Sequence, residues 1–137
     1  MLLTTSRDPS SKARRFARAL ASFLSLPYVN RGKSNLLEEE SWLVVREDHG
    51  NPAGLIKRSQ EGEEQLGFQL SGEPDKKRLK MSVPKVAGKA AVALPIAQFF
   101  ELEWLGEALP AKGRIIWVAT ESIEFIDEGQ AKFRLKI

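Results

Sequence analysis

Residues 2–36 read LLTTSRDPSSKARRFARALASFLSLPYVNRGKSNL, and the order of apolar and polar positions in them decides the fold class. Met1–Thr5 is short, apolar and β-branched, which predicts a strand beginning almost at the first residue. A helix follows. Asp8 is placed to accept from the free N–H groups of its first turn, Pro9 suits the first helical position, and Ser10 and Ser11 extend a polar opening. Ala13, Phe16, Ala17, Leu20, Phe23 and Leu24 recur every three or four residues and make one core-facing stripe, with Arg14, Arg15 and Arg18 on the other side. Pro27 ends the helix. Tyr28–Asn30 reads as a short strand, and Arg31–Gly32–Lys33–Ser34 as a basic turn before a brief helix near Asn35–Glu40.

Beyond this opening the chain turns to strands. Trp42–Arg46 and Leu55–Arg58 flank DHGNPAG, whose Gly, Asn and Pro residues supply hairpin chemistry, and Leu66–Leu70 continues the pattern. A polar loop over Gly72–Lys77 opens a second basic cluster, Lys76, Lys77, Arg78 and Lys80, and Leu79–Val83 is expected to form another strand. Val86–Leu105 is Ala-rich and helical in part, interrupted by Gly88 and Pro95. Arg114–Thr120, Ser122–Asp127 and Ala131–Ile137 close the chain as a strand meander. The order strand, helix, strand recurs near both ends, which points to two α/β halves sharing one sheet system, approximately residues 1–60 and 61–137 of a single domain.

Charge is distributed unevenly along this pattern. Met1–Lys33 carries seven basic side chains against one acid, Asp8, a formal charge of +6, whereas the other 104 residues carry 14 basic and 17 acidic side chains, a formal −3. The net +3 therefore conceals a polarised molecule, and a polyanion is the first candidate partner. At 137 residues the chain is one domain able to bury roughly two thirds of its unfolded surface. The absence of cysteine excludes disulfides, thiolate metal sites and cysteine nucleophiles. The first residues lack the apolar core of a signal peptide and no apolar run could span a bilayer, so a soluble, cytoplasmic protein without membrane contact is expected.

Motifs for catalysis are weak. Gly32–Lys33–Ser34 ends like a phosphate-binding loop, but Pro27 stands where the first glycine is needed; Gly88–Lys89 has Val83 at that position and Ala90 in place of the hydroxyl. His49 is the sole histidine, which rules out histidine-rich metal sites, and it lies in a hairpin turn where a solvated role is expected. No serine occupies a nucleophile elbow. The glutamates at 38–40, 61–64 and 101–107 suit surface solvation, and Trp42, Trp104 and Trp117 suit the core. Tyr28 borders the basic turn and is the aromatic retained as a base-stacking candidate. No enzyme activity, metal or cofactor is expected.

The ordered elements Thr5–Ser6–Arg7, Arg14–Arg15–Phe16 and Asn30–Arg31–Gly32 resemble the opening of the Brix domain, a ribosome-biogenesis family. His49–Gly50–Asn51–Pro52–Ala53–Gly54–Leu55 is similar to that family's Gly-x-Pro-x-Gly-Leu hairpin, and Arg114–Ile116 through Ile123–Phe125 to its C-terminal strands, in the short form of archaeal members. The resemblance implies two interlocked α/β halves with mixed sheets and flanking helices, like the anticodon-binding domain of certain aminoacyl-tRNA synthetases. It also implies a non-catalytic role in ribosomal RNA processing and subunit assembly. The chain departs from longer eukaryotic members at Gln130–Leu135, which replaces their His-containing ending.

Charge and resemblance together predict an RNA-binding assembly factor acting on ribosomal RNA precursor. Arg7, Lys12, Arg14, Arg15, Arg18, Arg31 and Lys33 are expected to hold phosphates, Gly32 to shape the turn, and Ser6 and Asn30 to bond sugars or base edges. The alternative is a protein-interaction module whose same arginines dock an acidic ribosomal protein or assembly factor.

Overall fold

The computed structural model describes residues 1–30, 40–75 and 77–137, so the turn at Arg31, Gly32 and Lys33, nearly all of the helix expected near Asn35–Glu40, and Lys76 lie outside the described residues. The first sheet has four strands in sequence order: β1 (Leu2–Thr5), β2 (Trp42–Asp48), β3 (Asn51–Ser59) and β4 (Gly62–Gly67). β1 and β2 are parallel and the rest antiparallel. The β2–β3 strands run deep into the segment expected to turn, leaving only His49 and Gly50 as the loop. Their φ values of 50° and 80° match a two-residue turn that follows the twist of the strands. A bulge between Arg46 and Glu47, with Pro52 opposite, absorbs the proline that would otherwise interrupt the ladder.

Helix α1 (Ser11–Leu24) carries the expected buried stripe. Its ends differ from expectation. Asp8 sits in a left-handed turn at φ 53°, and the cap is Ser10, whose hydroxyl oxygen accepts from the Ala13 N–H at 3.1 Å. The helix stops before Pro27 because Ser25 turns left-handed at φ 56°, and the Leu26 N–H then donates back to the Ala21 carbonyl at 2.9 Å. The following strand is reduced to one parallel bridge, Leu3 to Tyr28.

The second sheet is separate, not a continuation of the first. Its order is β5 (Gln69–Ser71), β9 (Gln130–Lys136), β8 (Ser122–Asp127), β7 (Arg114–Val118), β6 (Lys85–Gly88). The run Leu66–Leu70 breaks at Phe68, where the chain leaves the first sheet and enters the second as an edge strand on β9. No strand forms over 79–83; that segment is held along the end of α1 by side chains. Val86–Leu105 is helical in part, as expected: β6 ends at Gly88 and is followed by α2 (Ala90–Phe100), which contains Pro95 on its exposed side.

The two halves repeat one plan. In each, a strand leads to a helix ending in a left-handed residue, Ser25 or Glu101, then to a parallel bridge made by an aromatic residue, Tyr28 to Leu3 or Trp104 to Val86, and then to an antiparallel meander. Backbone bonds correspond one for one: Leu3 N to Pro27 O and Val29 N to Leu3 O match Val86 N to Glu103 O and Leu105 N to Val86 O. The halves interlock through α1, which packs on the first sheet while Phe16 and Phe23 meet Phe133 and Phe125 of the second at ring-centroid distances of 5.2–5.9 Å. Phe125 and Phe133 stack on each other at 4.3 Å. Among the described residues, no helix is long and apolar enough to cross a membrane.

Candidate nucleic-acid interface

Burying one stripe of α1 between two sheets forces its remaining face outward. Lys12, Arg14 and Arg18 are exposed there, and Arg15 is half-buried. Across from them lie residues 73–75, which follow β5, and residues 77–79, alongside the helix. Leu79 N donates to Ser22 Oγ at 2.9 Å, and Ser82 N to Ser25 Oγ at 2.8 Å, while Ser25 Oγ donates back to the Ser82 carbonyl at 2.8 Å. The fold thus brings Lys77 and Arg78 of the second basic cluster beside the first.

The result is a groove of about 640 Å³ lined by Arg14, Arg15, Arg18, Lys77 and Arg78 around one carboxylate, Asp75. Tyr28 lies in its wall with the Arg18 guanidinium over its ring, 5.6 Å from the centroid. Arg14, Lys77 and Arg78 make no ion pair among the described residues. Arg15 pairs with Glu73 at 3.3 Å, and on the far side of that pair a second groove of about 580 Å³ is lined by Lys12, His49, Asn51 and Gln69 over Phe68 and Leu70. Lys12 Nζ donates to Asn51 Oδ1 at 3.4 Å.

Ser6, Arg7 and Asn30 lie at the carboxyl ends of the parallel strands, next to the start of α1. Ser6 N donates to the Val45 carbonyl at 3.3 Å; Thr4 Oγ1 donates to Val29 O at 2.6 Å, fixing the residue before Asn30 against β1. Carboxyl ends of parallel strands beside a helix N-terminus are the usual place for ligands in open α/β sheets. The corresponding end of the second half is closed. There Gly88 has φ 138°, a Cβ on it would lie 2.4 Å from the Val118 carbonyl oxygen, and Trp104 Nε1 donates to the Gly88 carbonyl at 2.9 Å.

Lys77 and Arg78 are the groove residues that the sequence reading leaves out of the site. Their charge was legible as a cluster, but no spacing in the chain says that it returns to α1. Trp42 is buried as expected, whereas Trp104 and Trp117 are only half-buried, and His49 is solvated at the hairpin tip.

No protein-family model matches the chain. A probable Brix domain-containing ribosomal biogenesis protein of Methanosarcina mazei is 28% identical over 151 residues, spanning 100% of this chain and 96% of its own length. A protein of the same description from Archaeoglobus fulgidus is 40% identical over 98 residues, covering 66% of this chain and 62% of its own. Among solved structures, an archaeal Imp4-like protein superposes with a TM-score of 0.80 at 29% identity, over 100% of this chain and 96% of that one. A probable ribosomal biogenesis protein from Aeropyrum pernix shares the fold, with a TM-score of 0.63 at 21% identity over 98% of this chain and 92% of its own. From end to end, in sequence and in its interlocked pair of α/β halves, the chain is similar to archaeal Brix domain-containing ribosomal biogenesis proteins.

Proposed function

We propose that this protein is a non-catalytic ribosome-biogenesis factor of the cytoplasm that binds ribosomal RNA precursor through the exposed face of α1 and assists its processing and subunit assembly. One observation carries the reading: five cations from two distant chain segments converge on one groove that holds a single carboxylate among its lining residues. Phosphates bound there release condensed counterions, and the arginine forks can clasp them bidentately. Ser6, Arg7 and Asn30 extend the surface toward sugars and base edges, and the basic residues Arg31 and Lys33, either side of Gly32 in the sequence, add charge for phosphates. The names of the relatives, ribosomal biogenesis proteins, support ribosomal RNA as the polyanion. A-form duplex hides its base edges in a narrow groove, so the target is an irregular or single-stranded element.

The test is binding to fragments of ribosomal RNA precursor across a salt series, comparing wild type with Arg14→Ala/Arg18→Ala, Lys77→Ala/Arg78→Ala and, as a control, Lys132→Ala. The expected result is preference for one fragment over bulk RNA and a log–log salt slope shallower by about 0.7–0.9 per lost phosphate contact in the first two variants. Equal binding to all fragments, or variants indistinguishable from wild type, refutes the RNA reading and favours an acidic protein partner on the same face.

A further inference from the structure

A second surface, remote in character from the basic groove, is the free edge of β4. This strand is the last of its sheet, and among the described residues no strand pairs with its outer side. Sheets normally protect such an edge with lysine, proline, a bulge, shortness or a cover. β4 has six residues, Gly-Glu-Glu-Gln-Leu-Gly, with neither lysine nor proline, and its register with β3 is unbroken. The other ends of the sheets are treated differently: β5 has three residues, and β1 and β6 are flanked by the bridges of Tyr28 and Trp104.

The alternation of the ladder fixes which groups are free. Phe68 N donates to the Ala53 carbonyl, which makes that opposed pair hydrogen-bonded and, two residues at a time, makes Leu55–Leu66 and Lys57–Glu64 hydrogen-bonded as well. The N–H and C=O groups of Glu63, Gln65 and Gly67 therefore point outward from the edge. The side chains around them are exposed, and residues 59–67 contain Glu61, Glu63 and Glu64 but no base. Among the described residues, of these three only Glu63 forms an ion pair, to Arg58 of the neighbouring strand at 3.3 Å.

We infer that the β4 edge is a docking site for an extended, basic segment of another protein, which adds as a fifth strand. The open ladder supplies backbone bonds, and alternate side chains of the added strand carry the complementary charge. The same glutamates repel RNA. They also disfavour a second copy of this chain, because β4 against β4 places two acidic sets on one ribbon.

The experiment uses the full chain and a short synthetic peptide of alternating lysine and valine, followed by amide hydrogen exchange and fluorescence anisotropy. The expected outcome is protection of the Glu63, Gln65 and Gly67 amides. Gln65→Pro removes an outward N–H without breaking a bond to β3, and it should weaken the peptide by about tenfold or more while leaving the fold intact by circular dichroism. Glu61→Lys/Glu64→Lys should do the same. A peptide of equal charge with its backbone amides methylated should fail to bind. Retained binding in Gln65→Pro, equal binding of the methylated peptide, or protection elsewhere overturns the proposal. Should Gln65→Pro unfold the protein, the charge-reversal variant and the methylated peptide decide alone. RNA binding across the salt series is unchanged in Gln65→Pro, which alters no charge, so the two readings fail separately.

Discussion

Removing the guanidinium of Arg114 should loosen the groove from behind. This side chain is 2% exposed, and it reaches from β7 to the end of α1. Its Nη1 donates to the Ser82 carbonyl at 3.0 Å and to the Phe23 carbonyl at 3.3 Å, with the Ser22 carbonyl and Ser25 Oγ at 3.5 Å; its Nε meets Asp127 Oδ1 at 3.3 Å. The face of the Phe23 ring lies 5.5 Å from the charge. Arg114 thus satisfies carbonyls left open by the last turn of α1 and ties down the segment that carries Lys77 and Arg78. Arg114→Ala leaves two well-placed carbonyls and one partly buried carboxylate without their partner. Breaking a buried pair costs about 3–5 kcal/mol, and Asp127, still 21% exposed, recovers some hydration, so the lower part of that range applies. Urea unfolding should show a loss of about 3–4 kcal/mol, and thermal unfolding a shift of about 10 °C. Arg114→Lys keeps the charge without the fork and should lose about half as much. Hydrogen exchange at the Leu79 and Ser82 amides, which donate to Ser22 and Ser25, should accelerate beyond the global change. A loss below about 1 kcal/mol, or exchange at these amides that only tracks global stability, would refute the role assigned to this residue.

Three further outcomes follow from local geometry. Ser10→Ala removes both the α1 cap and a 2.7 Å bond donated to the Gly50 carbonyl, and calorimetry should show a loss of about 1–2 kcal/mol. Gly88→Ala places a methyl group against the Val118 carbonyl at a left-handed φ of 138°; a destabilisation of at least about 2–3 kcal/mol in urea is expected, and a neutral result would contradict the close approach of β6 and β7. Pro95→Ala restores a helix donor on the exposed side of α2 and should stabilise by about 1–2 kcal/mol in thermal unfolding, less than the peptide value because the freed chain also gains entropy.

Much of the architecture was legible because it rests on periodicity. The stripe from Ala13 to Leu24, the closing meander and the strand at the N-terminus each follow from one face being apolar, and the structure places them as read. The errors fall where a single residue competes with a pattern. Asp8 and Ser10 are both good caps, and the choice is settled by the Glu47 carboxylate and Gly50 carbonyl, which bond Ser10 from a hairpin some 37–40 residues away. Pro27 is a strong breaker, yet Ser25 had already turned the chain. Leu79–Val83 has a strand's composition, but Ser22 and Ser25 claim backbone groups of this segment before any sheet does. The basic face of the site was readable from one helix; its opposite wall was not, because only the tertiary path returns residues 77 and 78 to α1.

The repeated plan of the two halves explains why the candidate site lies where it does. Both halves offer the carboxyl end of a parallel strand next to a helix start, the position where open α/β sheets bind ligands. In the second half the position is consumed by packing: Gly88 allows β6 to approach β7, and the Trp104 indole takes the carbonyl that would face a ligand. In the first half the corresponding residues are Thr5, Ser6 and Tyr28; Thr4 bonds the Val29 carbonyl, Ser6 is half-buried and Arg7 is exposed. The helix above carries three arginines in the first half, whereas α2 has none along its length. Among the described residues, arginines beside the end of a parallel strand therefore occur in the first half alone, on α1. Transplanting arginines to the exposed positions of α2 would reproduce the charge without the surroundings of Ser6, Tyr28 and Asn30, and it should give weak binding with no preference among RNA fragments. Equal preference in that variant would show that charge alone, and not the geometry around Ser6, Tyr28 and Asn30, selects the partner.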